Sequence, residues 1–474
     1  MKSLVKNTIF NTIYNIANIL FPLITSMYIS RILLSDGVGQ VSYGQNIASY
    51  FVTFAALGLP TYGVREIAKV RTDKTKTNRL FTELFCINLL STLVSTVAFL
   101  ILIFSVARFK EELGLFLCCG VQIVMNVLNI DWFYQGNEEY GYIALRSITV
   151  KVISLLCVIF LVRTRQDYIV YALISSLAVS ANYIFNIIHV RKYVSFDFKG
   201  LDFKKHFQPL LILAISLFLS SVYSKVDITM LGSMATNKAI GLYSNSHKIV
   251  DMLVVASTSI SAVFLPRLSY YYNNDKEEFH RLVDVGAQIL SLLTFPLTMG
   301  VFVLAPHVIE VMYGTDFLPA TGVLRIFTLL IIIKGFGNLL CYQLVIATGN
   351  EKKRLPAYLA AAILNIVLNY LLIPILYEKG AAIASVISEI AVNVIQLIAM
   401  IKILELKINY KNCLKSLMCT FVMGGGVMLS TMMFEKSLLV CIVGFLVGVV
   451  LYFVFNYNLK NEMFIDILKK VKKH

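Results

Sequence analysis

Several long apolar stretches of this chain carry charges that lipid or a protein core normally excludes. Lys225 and Asp227 share one stretch, Lys248 and Asp251 the next, Arg325 and Lys334 another, and Glu389 stands in a fourth. The first half contributes Asp131, Arg146 and Lys151, with Arg31 near the end of the opening apolar run. Polar seams accompany these charges: Asn7, Asn11, Asn15 and Asn18, continued by Pro22 and Thr25; Ser216, Ser220, Ser224 and Asp227; Ser244, Lys248 and Asp251; Ser385, Glu389, Asn393 and Gln396. Spacings of three and four put each series on one helix face. Lipid cannot satisfy such groups, so the seams must face protein or a wet cavity. Asn and Ser alone read most simply as interhelical hydrogen bonds. The charges ask for more, because a central Lys, Arg or Asp costs about 2.5–3.5 kcal/mol to insert.

Lysine binds phosphate as a point charge and arginine binds it bidentately. The anion-binding candidates are therefore Lys225, Lys248, Arg31, Lys334 and Arg325, with Asn15 and Asn18 as polar neighbours. Asp227, Asp251 and Glu389 are the candidates for a coupling proton or Na⁺. Plainer roles compete. Arg31, Arg146 and Arg325 lie near span ends, where a long side chain snorkels to water. Asp131 can cap or pair, and Lys248 and Asp251, three apart, can neutralise one another. Arg325 and Lys334 are half a turn out of phase on a straight helix. They face one cavity only if Gly335 and Gly337 mark a distortion. Lys225 and Lys248, on the seams of adjacent spans, are the preferred pair for one anionic head group.

The elements that position these residues are membrane helices. Hydrophobic residues make up 58% of the 474 and charged residues 15%, where a soluble domain carries about 25% charged. Mean hydropathy is +0.76. Apolar runs near the length of a membrane-spanning helix recur fourteen times: 8–32, 41–62, 80–105, 113–134, 143–162, 168–189, 208–231, 240–264, 283–304, 320–346, 356–376, 380–402, 412–434 and 437–457. They lack the alternation of barrel strands. With residues at span edges assigned to the nearer side, 28 of the 42 Lys and Arg fall on one side, 8 on the other and 6 within spans. The positive-inside rule makes the rich side cytoplasmic, with both termini inside. The net charge of +15 is thus first a topology signal, with attraction to anionic membrane lipid second, and it does not indicate nucleic acid. The first run is too long and too rich in Asn for a cleaved signal. The eight cysteines lack a CxxC and the six histidines are scattered, so disulfides, metal sites and cofactors are not expected.

Two echoes indicate duplication. DWFYQGNEEYGYIALRS (131–147) has a shorter counterpart in ATGNEKKRLPAYL (347–359), and GQVSYGQN around Tyr43 has one in AIGLYSNS around Tyr243. The expected organisation is an all-α polytopic protein. A six-helix lobe (1–195) leads through a basic, aromatic cytoplasmic linker (196–207) to a second six-helix lobe (208–405). Two final spans and a basic tail (406–474) close the chain. Lobes with an even number of spans share one orientation, related by an axis along the membrane normal. Gly424, Gly425, Gly426, Gly444 and Gly448 suit close packing of the last two spans.

The segment Ile29–Lys69, ISRILLSDGVGQVSYGQNIASYFVTFAALGLPTYGVREIAK, together with DWFYQGNEEYGYIALRS, resembles bacterial polysaccharide transporters. These are the O-antigen and capsule repeat-unit flippases of the multidrug/oligosaccharidyl-lipid/polysaccharide (MOP) exporter superfamily. The resemblance covers both halves and the fourteen-span layout. It implies two six-helix lobes around a cationic cavity and alternating access in the bacterial cytoplasmic membrane. The cargo it implies is an undecaprenyl-diphosphate-linked oligosaccharide, moved from the inner to the outer leaflet, with polysaccharide assembly proteins as further partners. It assigns no fixed set of charged residues, so the candidates above rest on the seams. A multidrug or metabolite antiporter of the same superfamily would favour acidic and aromatic residues. A membrane-embedded glycosyltransferase or polymerase would need a sizeable loop or an acidic metal-binding pair, and neither is evident.

Overall fold

Helical periodicity governs the whole chain: every regular element among the described residues is a helix. The computed structural model describes residues 2–350, 354–404 and 410–471, with side chains of 2–16, 19, 401–404 and 471 left aside. Asn15 therefore lies outside the described side chains, and Glu351 to Lys353 of the second echo lie outside the described residues.

The first half contains α1 (Lys2–Ala56), α2 (Leu59–Val70), α3 (Lys74–Ser105), α4 (Ala107–Glu111), α5 (Leu113–Met125), α6 (Asp131–Gly136), α7 (Tyr140–Leu161), α8 (Tyr168–Ser180), α9 (Asn182–Val190) and α10 (Lys204–Met234). The second contains α11 (Asn237–Ala262), α12 (Leu265–Asn274), α13 (Lys276–Tyr313), α14 (Thr321–Gly337), α15 (Leu344–Ala347), α16 (Arg354–Leu376), α17 (Glu378–Leu404), α18 (Tyr410–Thr431), α19 (Ser437–Asn458) and α20 (Glu462–Val471).

Twelve helical segments among the described residues are long and apolar enough to cross a membrane, and Leu113–Leu128 is a shorter apolar one. The first of the twelve, Leu20–Val70, covers two expected spans, so the set accommodates the fourteen. Leu34, with φ of 57°, breaks α1 between those two. Only 17% to 50% of each segment's most apolar window is buried, leaving apolar side chains facing outward as a bilayer requires.

Helix association in lipid relies on close packing and hydrogen bonds more than on apolar burial. Gly63 permits α2 to rest on Trp132, which a Cβ there would meet at 2.7 Å. Asp73 caps α3, accepting from the N–H groups of Lys76 and Thr75, and those bonds hold its carboxyl below the usual range. In the last two spans Gly426 packs on Leu451, and Gly448 on Val427 and Met423; Gly425 faces open space.

The chain divides into two compact units, 1–232 with 236–241, and 233–235 with 242–474. Packing thus groups the seventh expected span, α10, with the first unit, whereas the duplication pattern groups it with the second half. The contacts explain this. Thr229 of α10 accepts from Asn46 of α1 at 2.8 Å, and His206 Nδ1 lies 2.7 Å from the Tyr62 hydroxyl of α2. At the start of α11, a side chain on Gly39 or Gly241 would strike the other helix's backbone.

The Gly-Asn-Glu echo marks a helix ending in both halves, but in a different register. Glu138 (φ 62°) and Gly349 (φ 67°) hold the left-handed position. Each is followed by an N–H that bonds five residues back, Glu139 to Tyr134 and Asn350 to Val345, both at 2.9 Å. This is the geometry of a Schellman cap. Gly136, the letter-by-letter counterpart of Gly349, instead allows α6 to lie against Ile67, which a Cβ would meet at 2.8 Å.

Candidate functional site

In the first unit, Lys225 is half-buried on α10, its Nζ 5.9 Å from the centre of the Tyr50 ring of α1. Asn46 bonds the Lys225 carbonyl at 3.3 Å, and the Tyr50 hydroxyl lies 2.9 Å from Thr229 Oγ1. The lysine is thus carried on a fixed polar and aromatic platform. Asp227, on the same helix, is buried. Asn18 accepts a hydrogen bond from Lys151 of α7, which uses part of its capacity. Arg31 is exposed.

Arg146 is paired. Its Nη2 donates to Asp131 Oδ1 at 2.9 Å, and Asn186 Nδ2 donates to the same oxygen at 2.7 Å. The Arg146 side chain is only 5% exposed. This network joins α6, α7 and α9, so burial in a bond through Nη2 rather than snorkelling accounts for Arg146, although its Nε and Nη1 are buried without hydrogen-bond partners.

In the second unit, five polar side chains of α11 find partners. The Tyr243 hydroxyl meets Ser385 Oγ of α17 at 3.0 Å, Lys248 Nζ donates to Asn245 Oδ1 at 3.2 Å, and His247 Nδ1 lies 2.7 Å from Asp251 Oδ2. Asp251 is therefore held by His247, one turn away, and not by Lys248 as the three-residue spacing suggested. The reason is geometric: positions four apart sit almost directly above one another, and Lys248 is drawn to the neutral amide of Asn245. His247 escaped the sequence reading because a lone histidine carries no signature, although its spacing to Asp251 was there to be seen. Its ring stacks on Tyr243 and meets Phe327 edge-on at 5.2 Å.

Lys334 of α14 is half-buried. Arg325 faces elsewhere: it is exposed, donates from Nε to the Phe302 carbonyl at 3.2 Å, and lies over the Phe302 ring. A distortion does exist, a π-helical turn at Asn338–Gln343. It follows Lys334, however, and leaves the half-turn between Arg325 and Lys334 intact. Glu389 is half-buried on α17.

Lys225, Lys248 and Lys334 enter no ion pair among the described residues; Lys225 lies over a ring and Lys248 donates to a neutral amide. Lys225 belongs to the first unit, Lys248 and Lys334 to the second. No group of three or more His, Cys, Asp or Glu suited to a metal occurs among the described residues.

Comparisons with known proteins agree with this architecture. The family model for polysaccharide biosynthesis proteins matches residues 4–271, and the MatE model matches residues 213–371. A relative in Escherichia coli (strain K12), named for O-antigen transport, is 21% identical over 401 residues, 83% of this chain and 96% of that protein. The capsular polysaccharide biosynthesis protein CapF of Staphylococcus aureus is 22% identical over 397 residues, 81% and 96% of the two chains. The fold is shared with the lipid II flippase MurJ in an inward closed conformation, with a TM-score of 0.71, 16% identity, and coverage of 95% of this chain and 99% of that one. The chain belongs to the polysaccharide biosynthesis protein family, and its helices are those of a multi-pass membrane protein.

Proposed function

We propose that this protein is a flippase that moves undecaprenyl-diphosphate-linked oligosaccharide repeat units from the inner to the outer leaflet of the bacterial cytoplasmic membrane. The product would feed O-antigen, capsule or exopolysaccharide assembly, and movement would follow alternating access. The observation that carries this reading is the presence of span lysines without ion pairs. Lys225, Lys248 and Lys334 each bear the cost of a charge within a span, about 2.5–3.5 kcal/mol on insertion scales, and none forms an ion pair among the described residues. A diphosphate supplies the missing anion.

In the second unit the division of labour is Lys248 and Lys334 for the head group, with the His247–Asp251 pair and Glu389 as the places to hold a coupling proton or Na⁺. With the cytoplasm negative, outward movement of an anionic head gains about 2.3 kcal/mol per charge per 100 mV. The potential therefore works in the direction of export. The relatives named for O-antigen transport and capsule biosynthesis support the same substrate class. The MatE match over 213–371 favours a drug or metabolite antiporter as the second reading, and the span lysines and arginines, at least as numerous as the acidic residues there, weigh against it.

The test is a leaflet-specific assay of lipid-linked repeat units in cells lacking the protein. Accumulation on the inner leaflet is expected. Accumulation on the outer leaflet would reject export and indicate a later polymerisation step.

A further inference from the structure

An apolar groove on the first unit stands apart from every residue proposed above for transport. Its volume is about 440 Å³, and its walls include Phe54 of α1, Cys86, Leu90 and Val94 of α3, and Phe207 and Leu211 of α10. Leu90 is 64% exposed and Phe207 69%, so the mouth opens on the apolar surface these spans present to lipid. From Val94 to Cys86 the α3 wall runs about 12 Å at 1.5 Å per residue. That length suits part of an acyl chain and is far short of a polyprenyl tail.

One end of the groove is charged. Beyond the lining, toward the start of α3, Glu83 and Arg79 lie about one and two turns before Cys86, with Glu83 fully buried. Glu83 is already engaged: it accepts from Lys205 Nζ at 2.8 Å and the Asp202 N–H at 2.8 Å, and lies 2.9 Å from His206 Nε2. Arg79 lies at the same carboxylate, its Nε 3.4 Å from Glu83 Oε1, while 43% of its side chain stays exposed. Lys204 is exposed beside Phe203, which also lines the groove.

The segment 191–207 leading into this end holds Arg191, Lys192, Lys199, Lys204 and Lys205 against Asp197 and Asp202. Its exposed aromatics Phe196, Phe198, Phe203 and Phe207 alternate with those charges. Aromatic rings and basic residues in alternation are the mark of a segment at a membrane–water interface. Hydrogen bonds from Asn78 Nδ2 to Ser195 Oγ at 3.0 Å and from the Asp197 N–H to Thr82 Oγ1 at 2.9 Å fix the segment against α3.

We infer that this groove binds one acyl chain of an anionic glycerophospholipid, whose phosphate meets Arg79 and Lys204. The occupant is a resident membrane lipid, because the walls are hydrocarbon, the mouth faces lipid, the length fits an acyl chain and the charged end has a basic excess. Such a lipid would brace the 191–207 segment against the first unit.

The test uses the full-length protein in detergent with defined lipid added, and native mass spectrometry with phosphatidylglycerol and phosphatidylcholine at equal mole fraction. Wild type should retain phosphatidylglycerol preferentially, and added phosphatidylglycerol should raise its melting temperature. Arg79→Gln and Lys204→Gln should each lower that retention about fivefold, the factor for about 1 kcal/mol per basic residue at an anionic surface. Leu90→Trp, which fills the groove from its lipid side, should lower retention of both lipids; the charge variants, which leave the walls untouched, carry the test if it folds poorly. Equal retention of the two lipids by wild type, or unchanged retention by the charge variants, overturns the proposal. Displacement of phosphatidylglycerol by equimolar undecaprenyl phosphate overturns it too, and would make the groove part of the transport route.

Discussion

Two charged clusters inside helices, Asp131–Arg146 in the first unit and His247–Asp251 with Lys248 in the second, are held in opposite ways. In the first, Asp131 and Arg146 bond directly, their side chains are 23% and 5% exposed, and Asn186 shares the same carboxylate oxygen. In the second, the His247 and Asp251 side chains keep 30% and 49% of their surface, and Lys248 rests on a neutral amide. A buried charge pair is costly to break from one side and leaves little exposed for another ligand. Half-open charges with neutral or distant partners remain available to a substrate or a coupling ion. Charge within a span is therefore not by itself a mark of function, and the partner decides which kind it is.

The largest effect should come from breaking the closed pair. Arg146→Met should destabilise the protein by about 3 kcal/mol, the lower end for an interrupted buried pair because Asp131 keeps some exposure. It would be read as lost abundance and a lowered melting temperature in detergent. A smaller loss in the double variant Arg146→Met with Asp131→Leu would show that the stranded carboxylate is the cause. If Arg146→Met were stable but inactive, the contrast between the units would collapse.

Next in size is Gly136→Ala, which forces a methyl group against Ile67 and should cost about 2 kcal/mol, within the range for overpacking. Thermal unfolding measures it, and a neutral result would mean that α6 and α2 yield easily.

Lys248→Gln tests the open side of the comparison. Export should fall about tenfold or more, equivalent to at least 1.4 kcal/mol, with abundance unchanged, and Lys248→Arg should restore part of it. A fall in abundance parallel to activity would move Lys248 to the structural class.

Gly349→Ala follows. Nothing lies within 4 Å of its Cβ position, so only the left-handed backbone is at stake, a cost of about 1 kcal/mol. Glu138→Gly should stabilise by a smaller amount, because it relieves the same conformation but gives up the exposed 2.8 Å ion pair with Arg71. Opposite signs for these two melting-temperature shifts would confirm that their caps correspond.

The smallest effect is a pair of double-mutant cycles. His247→Gln with Asp251→Asn should show a coupling of about 0.5–1 kcal/mol in stability, and Lys248→Gln with Asp251→Asn less than half of that. The reverse ranking would restore the lysine as the aspartate's partner.

Much of the architecture is written in residue order. Runs of about twenty apolar residues must be helices in lipid, because no other local structure satisfies its own backbone there. The ends of those runs could therefore be placed within a few residues, as α3, α16 and α19 illustrate. The candidate charges were legible for the same reason: a lysine stands out in a hydrocarbon stretch. Their partners were not. One-dimensional spacing leaves Asp251 within reach of both Lys248 and His247, and side-chain direction on α11 selects the histidine. The letters of two helix endings match at Gly136 and Gly349, yet packing against Ile67 claims the first glycine and the left-handed turn passes to Glu138. The affiliation of α10 was hidden for a related reason, since contacts such as Asn46 with Thr229 join residues 183 positions apart. Local solvation makes helices and exposes misplaced charges; only packing in three dimensions decides which charges are neutralised and which remain for a substrate.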